Sequence, residues 1–149
     1  MAAFYRREGN KGSWGLLNKK GEVIVEPQFR NMPFPFIDGV GFVLVNGEKM
    51  DNSDGKILTF NQEGETLAEI PLRNGGYTIV NFNSGFHEGL LAIQLSDNRN
   101  KRLTWTYMDK YGHYVFPPLF SHALNFNNGY AIIVIAENGK LGFLKNPLP

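Results

Sequence analysis

"GSWGLLNKKGEVIVEPQF", residues 12–29, is the stretch whose reading decides the fold. Trp14 and Gly15 open a short apolar run. A polar turn closed by Gly21 follows, then the β-branched run "VIV", then Pro27 and Phe29. Apolar pieces this short, bounded by turn residues, have the pattern of strands rather than helices. Pro27 would break a helix interior and suits a strand end or an edge.

The same pattern recurs along the chain. "ILTFNQEG" ends at Gly64 and "WTYMDKYG" at Gly112. Seven residues before each turn glycine stands Trp14, Ile57 or Trp105, and three before it Asn18, Asn61 or Asp109. Pro27 and Pro118 lie six residues beyond Gly21 and Gly112, with Phe29 and Phe120 two further on; the middle copy has Pro71, seven beyond Gly64. A second frame is "FIDG" (36–39), "FHEG" (86–89) and "FNNG" (126–129), each followed by an apolar run. The turn glycines are 43 and 48 residues apart and the phenylalanine frames 50 and 40. A period of this size marks a tandem repeat. The units fall at about 12–46, 55–95 and 103–136 of a single domain spanning 1–149, with partial units at 1–11 and 138–149.

Each unit is expected to hold three strands: one before the first turn, one after it, and one after Phe-x-x-Gly. Asn-Gly at 46–47, 74–75, 128–129 and 138–139 adds hairpin signals. No window of a dozen residues keeps a helical period. The fold class is therefore all-β, a tandem array of antiparallel strand meanders, compact and curved or barrel-like so that its edges are hidden. The runs at 90–95 and 130–135 are apolar on consecutive residues, so both strands are expected to be covered on two faces.

This order of residues resembles the WG (KWG) repeat found tandemly in many bacterial proteins. The residues that carry the likeness are Trp14-Gly15, Gly21, Pro27, Phe36 and Gly39 in the first unit, and Trp105, Asp109, Gly112, Pro118, Phe126 and Gly129 in the third. The third unit has Thr106 where the pair's glycine belongs. The second has Ile57 and Leu58 for the pair but keeps Gly64, Phe86 and Gly89, and a last start at Leu141 keeps Gly142. The family carries no common enzymatic activity or cofactor, so the resemblance implies a repeat scaffold and no catalytic residue.

Composition narrows the function classes. With 149 residues, 42% hydrophobic, the chain is long enough for a real core. A net charge of +1 supplies no field that recommends nucleic acid or an anionic membrane as a partner. The absence of cysteine excludes disulfides and thiolate metal sites. The start "MAAFYRREGN" shows no apolar leader region, and the longest apolar run, "YAIIVIA" (130–136), is too short to cross a bilayer as a helix.

Candidate sites compete with plainer explanations. Trp14 and Trp105 could form a sugar platform, but Ile57 and Leu141 fill the same slot, so they read as repeated core anchors. Asp38 and Glu88 could act as a carboxylate pair in a small hydrolase. Asn128 holds the equivalent place, so the slot reads as turn chemistry, with each side chain bonded to its own turn. His87, His113 and His122 lack the spacing of a helical zinc motif, and "DNSDGK" (51–56) lacks the ligand pattern of a calcium loop. No catalytic residue, cofactor site or metal site is expected. What remains is a pair of long tips between units, carrying Glu48, Lys49, Asp51 and Asp54, and Asp97, Arg99, Lys101 and Arg102. The leading reading is a non-enzymatic module that binds a protein through these loops or a strand edge. A carbohydrate-binding module using exposed aromatics is the alternative, and self-association through the terminal strands is compatible with both.

Overall fold

A computed structural model describes residues 1–50 and 54–149. Three antiparallel sheets follow one another along the chain. The first joins β1 (Ala2–Glu8), β2 (Lys11–Leu17) and β3 (Val23–Phe29). The second joins β4 (Gly41–Val45), β5 (Lys56–Phe60) and β6 (Thr66–Pro71). The third holds β7 (Arg73–Asn74), β8 (Tyr77–Phe82), β9 (Leu91–Asp97), β10 (Leu103–Met108), β11 (Phe120–Ala123), β12 (Tyr130–Ile135) and β13 (Leu141–Lys145), paired in the order of the chain. The architecture is all-β and built of tandem antiparallel repeats, and its sheets are curved but open: among the described residues none of them closes into a barrel.

Pairing crosses the sequence repeat. The strand that ends one copy pairs with the strand that begins the next: β1 with β2, β4 with β5, β9 with β10, β12 with β13. Each copy is thereby stitched to its neighbour by backbone hydrogen bonds as well as by packing.

Strand alternation then divides the core into layers. Val43 and Phe60 face back toward Leu16 and Phe29 of the first sheet. Phe42 and Ile57, on the opposite face, point forward to Phe86, Leu91, Ile93, Leu95 and Met108. Leu90, Ala92 and Tyr107 point forward again, onto Phe120, Phe126, Ala131 and Ile133. Strand β9 thus buries both faces, which is why its sequence is apolar on consecutive residues. Among the described residues every buried side-chain nitrogen or oxygen has a partner; the Tyr107 hydroxyl, for one, donates to the Leu124 carbonyl at 2.6 Å.

Two expectations are corrected here. The second unit holds more than three strands: the short hairpin β7–β8 forms around Asn74-Gly75, with Gly75 at φ +59°. Strand β12 is covered on one face only. Ala131 and Ile133 are buried, but Tyr130 and Ile132 stand open, because among the described residues no further layer packs on the outer side of β12 and β13.

Candidate interaction surfaces

The hairpins sort themselves to two ends of the stack. One end gathers the polar turns and the Phe-x-x-Gly turns; residues 18–20, 22, 38–39 and 62–63 line a common depression of about 820 Å³ there. The other end carries the connections β1–β2, β4–β5, β9–β10 and β12–β13, which differ in length from copy to copy.

At the first end the local geometry repeats closely. The Oδ1 atom of Asn18 accepts from the N–H groups of Lys20 and Glu22, that of Asn61 from Glu63 and Glu65, and that of Asp109 from Tyr111 and His113, all at 2.9–3.0 Å. A side-chain oxygen two residues before the bend holds the turn shut, and Gly21, Gly64 and Gly112 complete it at φ +81°, +81° and +88°. The Phe-x-x-Gly turns are two-residue hairpins with both central residues left-handed: Asp38 and Gly39, Glu88 and Gly89, Asn128 and Gly129. That is the type I′ geometry that matches strand twist, and it explains why a short polar residue and a glycine stand there.

The carboxylates of these turns do not bond to their own turn. The Asp38 Oδ2 accepts from the Glu88 N–H at 2.7 Å, and the Glu88 Oε2 accepts from the Gly129 N–H at 3.0 Å. Asn146 closes the row: its Nδ2 donates to the Glu88 carbonyl and its N–H to the Gly129 carbonyl. Each turn therefore offers a carboxylate to the backbone of the next, a ladder that locks successive copies in register. Local spacing could not reveal it, because its partners lie 50 and 41 residues apart. Glu88→Ala should cost about 1–2 kcal/mol in a urea titration, while Glu88→Gln, which keeps an acceptor oxygen, should recover most of it. Equal losses for both variants would show that the ladder hydrogen bond is not what Glu88 supplies.

At the second end lie the loop residues singled out above. Glu48, Lys49, Asp54, Arg99, Lys101 and Arg102 are exposed; Asp97 is half-buried, and Asp51 lies outside the described residues. Asp54 accepts from the N–H groups of Lys49 and Glu48, which holds its carboxyl below the usual carboxylate range. Asp97 is held down in the same direction, first by the Arg99 side chain and then by the Arg99 N–H. Asn98 ties this loop to the β7–β8 hairpin, its Oδ1 accepting from Thr78 and its N–H donating to Gly76. Beside the β4–β5 connection a groove of about 530 Å³ opens between residues 28–31 and 44–48. Asn31 crosses its floor, donating to the Leu44 carbonyl and to Asn46 Oδ1.

The repeat positions divide by burial. Phe86 and Phe126 are buried; Phe36, Pro27 and Pro118 are half-buried. Trp14 and Trp105 are half-buried at the margins of the first and last core layers. Tyr5 lies against Trp14 at 5.3 Å with the rings tilted by 55°, so the two do not present the flat, coplanar platform that a sugar face needs. His113 bonds to Asp109 and His122 lies beside Ser121. Among the described residues no three His, Asp or Glu side chains converge where they could hold a metal ion.

Comparison with known proteins adds one finding. Residues 14–48 and 105–140 match the family model described as the WG containing repeat. No curated protein and no solved structure matches the chain.

Proposed function

The blocks 14–48 and 105–140 belong to the WG-repeat family, and from that premise we propose that the chain is a non-enzymatic β-repeat scaffold that engages a protein partner at its loop end. The observation that carries the reading is the contrast between the two ends. The turn end is tied together copy to copy by side-chain hydrogen bonds and repeats its geometry. The loop end varies in length from copy to copy. Binding surface in repeat proteins collects where unit-to-unit variation is tolerated, on loops held by a rigid frame. The units at 12–46, 55–95 and 103–136 supply that frame.

Charge on the loop end is mixed, with Glu48, Asp54 and Asp97 set among Lys49, Arg99, Lys101 and Arg102. A mixed surface of this kind suits a protein epitope of alternating sign and gives a modest dependence on salt. The test replaces 47–55 and 97–101 with Asn-Gly turns and measures folding and partner capture from the native host separately. Folding should survive, since hairpin tips tolerate shortening, and capture should fall. Undiminished capture by the trimmed, folded chain would refute the assignment to this end.

A further inference from the structure

We propose that copies of this chain stack head to tail, the forward face of β12 and β13 in one copy packing on the backward face of β1 and β2 in the next; this is independent of the loop-end reading.

At the junctions inside the chain a forward face meets a backward face. Phe42 and Ile57 meet Leu91 and Ile93, and Ala92 and Tyr107 meet Ala131 and Ile133. Strands β12 and β13 carry one more forward face, equivalent residue by residue. Ala92 pairs with Tyr107 as Ile132 pairs with Phe143, and Gln94 with Trp105 as Val134 with Leu141. Ala92 and Tyr107 are 1% and 0% exposed, whereas Ile132 and Phe143 are 38% and 72% exposed. Tyr130, Leu141 and Leu124 stand open beside them. A contiguous apolar patch of this kind is uncommon on an isolated soluble monomer.

The register of β1 and β2 identifies the occupant. The backward face that receives Ala92 and Tyr107 is built from Ala131 paired with Leu144 and Ile133 paired with Gly142. In the same places β1 and β2 set Ala2 opposite Leu17 and Phe4 opposite Gly15. Alanine, leucine and glycine recur, and phenylalanine replaces isoleucine. The local packing recurs too. Ile133 lies over Gly142, 3.3 Å from where a β-carbon would stand, and the Phe4 ring lies over Gly15, 2.8 Å from the same point. Val23, opposite Leu17, widens the surface and is 40% exposed. Phe4, Leu17 and Val23 lie outside the three packed layers.

The chain thus holds both halves of a junction it already builds, each uncovered among the described residues. The halves differ, so their union is heterologous and repeats from copy to copy. Phe4, bulkier than Ile133, enters the groove of about 310 Å³ between Leu124, Tyr130, Ile132 and Phe143. Arg6 takes the place of Val45 and Ile135, which are only half-buried in their own junctions. Its stem extends the face, while its guanidinium, paired with Glu26 at 3.2 Å, stays in water at the margin.

Sedimentation velocity on the full chain, from micromolar to sub-millimolar concentration, tests this. The mass of the unaltered chain should rise with concentration past that of a dimer. Phe143→Glu removes a central apolar anchor of the forward face, and Ala2→Glu puts a carboxylate into the backward one. Each should weaken association about thirtyfold or more. Both side chains are exposed, and circular dichroism checks that the variants are folded. An equimolar mixture of the two variants keeps one intact pair of faces, so it should form a one-to-one dimer that grows no further. A chain that stays monomeric throughout overturns the proposal, as does a mixture that stays monomeric. So does a dimer that Phe143→Glu dissolves and Ala2→Glu leaves intact, which would mean that the forward faces pair with each other.

Discussion

Phe86→Ala is expected to destabilise the fold by about 3–5 kcal/mol, the range for emptying a fully buried aromatic site. Phe86 opens the second Phe-x-x-Gly frame and is wholly buried. Its ring meets Phe42 edge to face at 5.7 Å and 81°. Phe42 in turn stacks on Phe34 at 4.4 Å and meets Phe82 edge to face at 5.5 Å. These rings come from both sides of the junction between the second sheet and the third, so removing one opens a cavity at the contact between copies. Neighbouring strands cannot close that gap easily, because the carboxylate ladder and the cross-copy pairing fix their spacing. Trp14→Ala should cost less, about 2 kcal/mol, because its indole is half-buried and returns less area to water. Equilibrium urea unfolding of the two variants gives the comparison. A larger loss at Trp14 than at Phe86 would place the main core in the first layer instead of the central one.

Those numbers show which parts of the molecule its sequence made legible. The repeat frame, the strand class and the turn chemistry could be read, because each depends on residues within a few positions: Asn18, Gly21 and Pro27 act on their own backbone. The forward and backward faces of β4 and β9 followed from alternation once both were known to be covered. Strand β12 broke that rule. "YAIIVI" has the composition of a strand buried on both sides, yet among the described residues only one of its faces is covered, and composition alone does not tell the two cases apart. The ladder of Asp38, Glu88 and Gly129 was illegible for another reason. Its polar residues look like self-contained turns, and only the stacking of copies brings one turn's carboxylate to the next turn's N–H. Glu48, Lys49, Asp54, Arg99, Lys101 and Arg102 were legible as exposed and polar, which is a property of their position in hairpin tips.

Gly15, the second letter of the Trp-Gly pair, carries the other large effect. A β-carbon built there would lie 2.5 Å from the Val25 carbonyl oxygen, 2.9 Å from the Pro27 nitrogen and 2.8 Å from the Phe4 ring. The first two are backbone atoms of β3, at the place where the β2–β3 register shifts between Trp14 and Leu16. Relieving the clash therefore means pushing two strands apart, not turning a side chain. Gly15→Ala should cost about 3 kcal/mol, the upper end of what overpacking does in a close-packed interior. Gly12→Ala is the internal control. Its new methyl would run into the phenol end of Tyr5, but that ring is half-exposed and free to swing aside, so the loss should stay within about 0.5–1 kcal/mol. The slot does not need glycine in every copy. Thr106 occupies it in the third unit, where its hydroxyl donates to the Phe116 carbonyl at 2.7 Å. The requirement at Gly15 thus comes from the approach of β3, with its bulge and Pro27, and not from the turn that follows. Urea titrations of Gly15→Ala and Gly12→Ala side by side decide the point: similar losses at the two positions would mean that the β2–β3 approach is looser than its distances imply.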